Sequence, residues 1–200
     1  MRMQRLCFSR GRNRPLSFLE KPRHGDVQAL QRQMQGRKFS PELVLAVSRR
    51  CAFGFPQAVL CQPLRNGKPF PTTFWLTCPY LVHACGCFES AGGVAMLENG
   101  LKGRHDAWAA YNLLHSLLRI SLVPELLRKW YRKYFPGIWR ALCRGGVGGI
   151  EYRNGGGVKC IHLQAASLLS LGAHPCGDLL QEMLGPRECS RPEQFGCAMD

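Results

Sequence analysis

The sequence has no uncharged apolar run of about 18 residues, the length a membrane-spanning helix needs. The nearest approach, Leu113–Val123, is short and carries His115 and Arg119. No apolar stretch follows the basic N-terminus, which argues against a secretory signal. A soluble protein of the cytoplasm is expected, where thiols stay reduced. No Cys-x-x-Cys pair occurs, so the strongest sequence mark of a zinc site is missing. Neither a Walker sequence nor a Gly-x-Gly-x-x-Gly following a strand is found, which sets aside the common nucleotide-binding loops. Acids are scarce, 13 Asp+Glu against 27 Lys+Arg. No two carboxylates stand at a recognisable catalytic spacing, so hydrolysis by a carboxylate pair has no support.

What is present is a chain of 200 residues, 46% hydrophobic, with a net charge of +14 and 11 cysteines. That length and composition suit one domain with a real core. An odd number of irregularly spaced cysteines in a reducing compartment is not a disulfide framework. They are core residues, metal ligands or reactive thiols. The charge is uneven: residues 1–50 hold 12 Lys/Arg and 3 acids. A basic, disordered arm is expected over residues 1–24, a single domain over 25–184 and a disordered tail over 185–200.

The patterning predicts an α+β fold, with a small antiparallel sheet of about three strands in the first half packed against several helices. Asp26 is placed to cap a first helix. Leu43–Ser48 and Gln57–Cys61 read as strands, Asn66-Gly67 as a hairpin turn, and Thr72–Thr77 as the third strand. Pro79 suits the first turn of a helix reaching about Ser90. Gly92-Gly93 interrupts it, and Val94–Leu101 resumes. His105–Tyr134 is helical, broken at Pro124. Residues 145–157, with GGVGG and NGGG, read as a flexible loop. Val158–Leu171 reads as a helix stopped by Gly172, and Gly177–Leu184 as a short last helix.

Several blocks occur in an order that carries a resemblance: RRCAFGFPQAV, NGKPFPTTFWLTCPYLV, FESAGGVAMLE, GGVGG, then VKCIH followed by HPCG. Together they resemble the bacterial family known as domain of unknown function 501, over about residues 26–178. PFPT-x-x-x-LTCP and VKC-x-H are the most specific parts. The family brings no established activity. It implies a fold-sized unit, with Cys51, Cys78, Cys160 and His162 inside matching blocks. Further histidines often follow VKC-x-H in the family, where this chain has Leu163–Ser167. Cys7, Cys189 and Cys197 lie outside the resemblance.

Three thiols and an imidazole, from Cys51, Cys78, Cys160 and His162, are a competent ligand set for zinc or for an iron–sulfur cluster. Residues two apart on a helix point in nearly opposite directions. Cys160 and His162 can therefore share a metal only where the chain is extended or just entering the helix. Buried structural thiols are the plain alternative. Cys78 also stands where a strand gives way to a helix, and the partial positive charge there favours a thiolate, so a thiol enzyme is a further reading. A rival of another class lies in Arg128–Arg144. Arg128, Lys129, Arg132, Lys133 and Arg140 interleave with Trp130, Tyr131, Tyr134, Phe135 and Trp139, a pattern suited to nucleic acid or an acidic protein surface. The same pattern also suits a helix whose aromatics pack inward while its cations stay in water. Glu89, in Phe88-Glu89-Ser90, is either a partner for an arginine or a surface charge.

Overall fold

A computed structural model of the protein describes residues 19–151 and 157–197, with the backbone of a two-residue strand pair, Phe8–Ser9 and Arg12–Asn13. Most of the expected basic arm, and most of the NGGG segment, lie outside the described residues. The sheet consists of β1 (Val44–Arg50), β2 (Pro56–Cys61) and, after the small hairpin β3 (Leu64–Arg65) and β4 (Lys68–Pro69), β5 (Phe74–Leu76). Its order is β1-β2-β5, antiparallel throughout, with Val47 opposite Val59 and Val59 opposite Trp75. Every residue of β2 is buried. Ala58-Val59-Leu60-Cys61 is an unbroken apolar run because both faces of the strand are covered. Ala58 and Leu60 face the main core with Ala46, Phe74 and Leu76. Val59 and Cys61 face Leu30, Phe39, Phe70 and Trp75.

The Asn66-Gly67 turn forms as the sequence suggests, with φ of +49° and +73°. It closes β3 onto β4, a side ribbon, and the chain then travels on to β5. Helix α1 (Asp26–Gln33) lies against the far face of the sheet. Asp26 is its first residue, and Gly25, at φ +90°, takes the position before it. The Asp26 carboxylate accepts from the backbone N–H of Arg23 and takes a two-pronged ion pair from Arg50, at 2.8 and 2.7 Å. That joins α1 to the end of β1.

The remaining helices build the other side: α2 (Pro79–Ser90), α3 (Gly93–Leu101), α4 (His105–Ser121), α5 (Glu125–Tyr134), α6 (Pro136–Arg144), α7 (Ile161–Leu171) and α8 (Gly177–Leu184). Pro124 ends α4 as expected. A second break falls at Phe135-Pro136, which divides the aromatic-basic stretch between α5 and α6. Helix α7 is the centre of the molecule. Ile161, Ala165, Ala166 and Ser167 are fully buried, and small side chains there let the helix approach the sheet closely. Ser170 Oγ meets Ser48 Oγ of β1 at 2.6 Å. Gly172, at φ +70°, stops the helix.

The GGVGG loop differs from the flexible segment expected of it. Arg119 Nη2 donates to Gly146 O at 2.8 Å and to Pro71 O at 3.0 Å, and its Nη1 donates to Gly145 O. Asn112 Oδ1 accepts from Val147 N–H at 2.9 Å. Glycine is needed at position 146 because the loop crosses directly over Asn112: a Cβ there would lie 2.0 Å from Asn112 Oδ1.

Candidate metal centre

Helix α7 begins at Ile161, and Cys160 just before it is extended, with φ −165° and ψ 157°. That is the condition under which Cys160 and His162 reach one place. A third donor arrives from the last turn of α2. A carboxylate oxygen of Glu89, the Cys160 sulfur and a ring nitrogen of His162 all lie within 4.8 Å of one another, each residue half-buried. Glu89 Oε1 accepts from Ile161 N–H at 2.6 Å and from His162 N–H at 3.3 Å. It therefore satisfies free N–H groups at the start of α7, where negative charge is favoured.

His162 is held at both ring nitrogens. Nδ1 lies 2.8 Å from Glu89 Oε1 and Nε2 lies 3.2 Å from Val82 O on α2. A backbone carbonyl only accepts, so Nε2 carries a hydrogen. In neutral imidazole Nδ1 is then a lone pair facing a carboxylate. Two acceptors at that separation need a cation between them, either a proton or a metal ion. The Nε2–H to backbone carbonyl bond is the one that orients a ligating histidine.

Burial acts to raise the Glu89 pKa. The hydrogen bonds and charge of His162, with the N–H of Ile161, outweigh it and hold the carboxyl below its ordinary value. The Cys160 thiol is raised by burial and by the Glu89 charge, against the N–H groups of Leu163 and His162 and the charge of Lys159. Cys85, fully buried one turn before Glu89 on α2, feels both Glu89 and Cys160.

The structure thus brings Cys160 and His162 together and adds Glu89, which the sequence reading did not count as a ligand. Cys51 and Cys78 are not in this group. Glu89 lies eleven positions after Cys78 along α2, about 16 Å of helical rise. Cys78 stands before the first turn of α2, where the helix terminus favours a thiolate. It is nonetheless buried, and desolvation, opposed by the N–H groups of Leu81 and Tyr80, pushes its thiol up to about 12.

Arg128, Lys129, Arg132 and Lys133 lie on α5 and Arg140 on α6. Tyr131 packs inward and its hydroxyl donates to Gly67 O at 3.0 Å. Trp130, Tyr134 and Phe135 keep 42–57% of their surface exposed. Lys129 pairs with Glu125 at 3.0 Å. Arg132 lies over the Trp139 ring, 4.6 Å from its centroid, and Lys133 over Tyr134 at 5.1 Å. No helix among the described residues is long and apolar enough to cross a membrane.

Fold and site together define an α+β protein with a carboxylate, a thiol and an imidazole gathered where α2 meets α7. Residues 47–182 match the family described as Protein of unknown function (DUF501), and the chain belongs to that family. No curated protein and no solved structure matches the chain.

Proposed function

We propose that the protein binds a transition-metal ion through Glu89, Cys160 and His162, with zinc the ion best suited to one thiolate, one imidazole and one carboxylate. The observation that carries this reading is the 2.8 Å approach of His162 Nδ1 to Glu89 Oε1 while Nε2 faces a backbone carbonyl. Three protein ligands leave a fourth position on zinc for water, the arrangement of a reactive rather than a closed structural centre. The thiol must stay reduced to ligate, which fits the cytoplasmic location expected from the sequence. The test is zinc titration of the purified protein and of Glu89→Gln and His162→Ala. Each substitution is expected to weaken binding at this site at least about 10-fold. Wild-type affinity in both variants would overturn the reading.

A second reading rests on a separate observation, the exposed Trp130 and Tyr134 of α5 and Phe135 just after it, beside Arg128, Lys129, Arg132, Lys133 and Arg140. We propose this face as a contact for single-stranded nucleic acid, with cations on phosphates and rings on bases. Its affinity should fall steeply with salt. Binding that ignores salt, or that survives neutralisation of Arg128, Lys129, Arg132 and Lys133, rejects it.

A further inference from the structure

A cavity of about 400 Å³ opens between α6 and the GGVGG loop. One wall is a single face of α6, where Gly137, Arg140, Ala141 and Arg144 recur at helical spacing. Gly137 and Ala141 are small and leave the space that the two long arginines border. The other wall is the loop, at Gly145, Gly149 and Glu151. The loop is closed on itself: Gly146 N–H donates to Ile150 O at 2.7 Å, and Gly145 faces Glu151 in an antiparallel bridge. A helix face and a fixed turn thus hold the cavity open.

Its surroundings are positive. No described acid pairs with Arg140. Arg144 Nη1 stands 3.6 Å from Glu151 Oε1, beyond hydrogen-bond length, so the donors of Arg144 remain open to a closer acceptor. A third cation lies behind the loop, since a Cβ on Gly145 would stand 3.0 Å from Arg119 Nη1. Arg119 is buried and donates to Pro71 O, Gly145 O, Gly146 O and the Thr73 hydroxyl, with no carboxylate among its partners. Three guanidinium groups therefore stand against one carboxylate. The carbonyls that would repel an anion at the end of α6 are engaged as well. Ala141 O accepts from Gly145 N–H, Cys143 O from the Ser116 hydroxyl, and Gly145 O and Gly146 O from Arg119.

We propose that this cavity binds a phosphate group between Arg140 and Arg144. Guanidinium forks match phosphate oxygens two at a time. The cavity is of the size of small-ligand sites, which begin at about 300 Å³. Glu151 opposes a bare anion but accepts from a hydroxyl or amino group, so the phosphate ester of a polar molecule fits better than inorganic phosphate. The phosphate belongs either to a free nucleotide or to a nucleic-acid strand, and only the second source rests on the nucleic-acid reading above.

The test uses the full chain and three probes: adenosine 5′-monophosphate, adenosine without its phosphate, and a single-stranded oligouridine. An arginine-selective dicarbonyl reagent, with mass spectrometry of each site, reads protection in the wild-type protein. A phosphate-bearing probe should slow modification of Arg140 and Arg144 several-fold, and adenosine should not. Protection by the monophosphate identifies a free nucleotide as a source, and protection by the oligouridine alone identifies a strand. The probe that protects is then titrated into Arg140→Gln and Ala141→Leu. The first removes a cation, and the second fills the cavity with every charge in place. Each should weaken binding about 10-fold, the scale of one hydrogen bond to a charged group. Neutralising Arg128, Lys129, Arg132 and Lys133 separates this site from the α5 face: monophosphate binding should survive it even where strand binding is lost. Arg140 and Arg144 left unprotected by both phosphate-bearing probes, protection by adenosine equal to that by its monophosphate, or affinity unchanged in both cavity variants would each overturn the proposal.

Discussion

His162 Nδ1 approaches Glu89 Oε1 to 2.8 Å across 73 residues of sequence, and the same oxygen accepts the N–H of Ile161 at 2.6 Å. One carboxylate oxygen therefore ends one helix, begins another and meets the imidazole that stands between them. The join is electrostatic as well as geometric, since His162 holds Glu89 in its charged form.

That charge makes the join sensitive to acid. The Glu89 pKa is lower in the folded protein than in the unfolded chain, where it is about 4.5. Its contribution is fully present above that value and is lost as pH falls through the lower folded one. Glu89→Gln keeps the shape and removes the charge. Its urea midpoint should be lower than wild type at pH 7, and the difference should shrink toward pH 3. A difference that persists unchanged at pH 3 contradicts the assignment.

Gly146 gives a second prediction. Any side chain here meets an obstacle: a Cβ would lie 2.0 Å from Asn112 Oδ1 and 2.6 Å from Cγ. Gly146→Ala should cost about 1–3 kcal/mol, the range for overpacking. Asn112→Ala removes the obstacle and also the acceptor for Val147 N–H. The double variant should therefore cost less than the two single costs added, measured in a double-mutant cycle. Strict additivity would show that the loop relieves the clash elsewhere.

Much of the fold was legible because proline and glycine mark its joints. Pro79–Ser90 and Gly177–Leu184 form as helices at the bounds read from the sequence, and Pro124 and Gly172 break where expected. The three-stranded sheet followed from apolar runs on either side of Asn66-Gly67. The requirement that Cys160 be extended was also stated from helical geometry and is met. Long-range pairings were not legible. Glu89 has no neighbour in sequence that reveals His162. The GGVGG glycines read as mobile because nothing local shows that Arg119 and Asn112 hold them. The return of the C-terminal segment was not legible either, since it depends on Arg187 O and the Glu188 carboxylate accepting from Gln57 and Ala52, more than a hundred residues away.

Arg119 interrupts the most apolar stretch of the sequence, and the structure supplies its purpose. It is 2% exposed and donates to the carbonyls of Pro71, Gly145 and Gly146. Burial lowers its pKa to about 10, so it remains a cation at neutral pH. Arg119→Met fills similar space and leaves three carbonyls without this donor. A loss of about 3–5 kcal/mol in urea unfolding is expected. A loss below about 1 kcal/mol would mean that water replaces the guanidinium.

The core also predicts a stability change at mild acidity. His115 and Tyr111 share the hydroxyl of Ser167, with His115 Nε2 at 2.6 Å from it, and Tyr111 packs edge-on against His174 at 4.9 Å. Burial lowers both histidines to about 3, and for His115 the charges of Arg119 and His174 add to it. Both are neutral when folded, while the unfolded chain takes up protons near pH 6.5. Between about pH 6.5 and 3 the unfolded state binds more protons, so stability falls as pH falls. Each histidine should contribute about 2 kcal/mol of loss by pH 5. The carboxylates of Asp26 and Glu89 act below their ordinary values of 3.8 and 4.5, so the window from pH 6.5 to 5 isolates the histidines. His115→Gln should roughly halve the drop in unfolding free energy across that window, whatever its effect at pH 8. An unchanged drop would place the proton uptake on other groups.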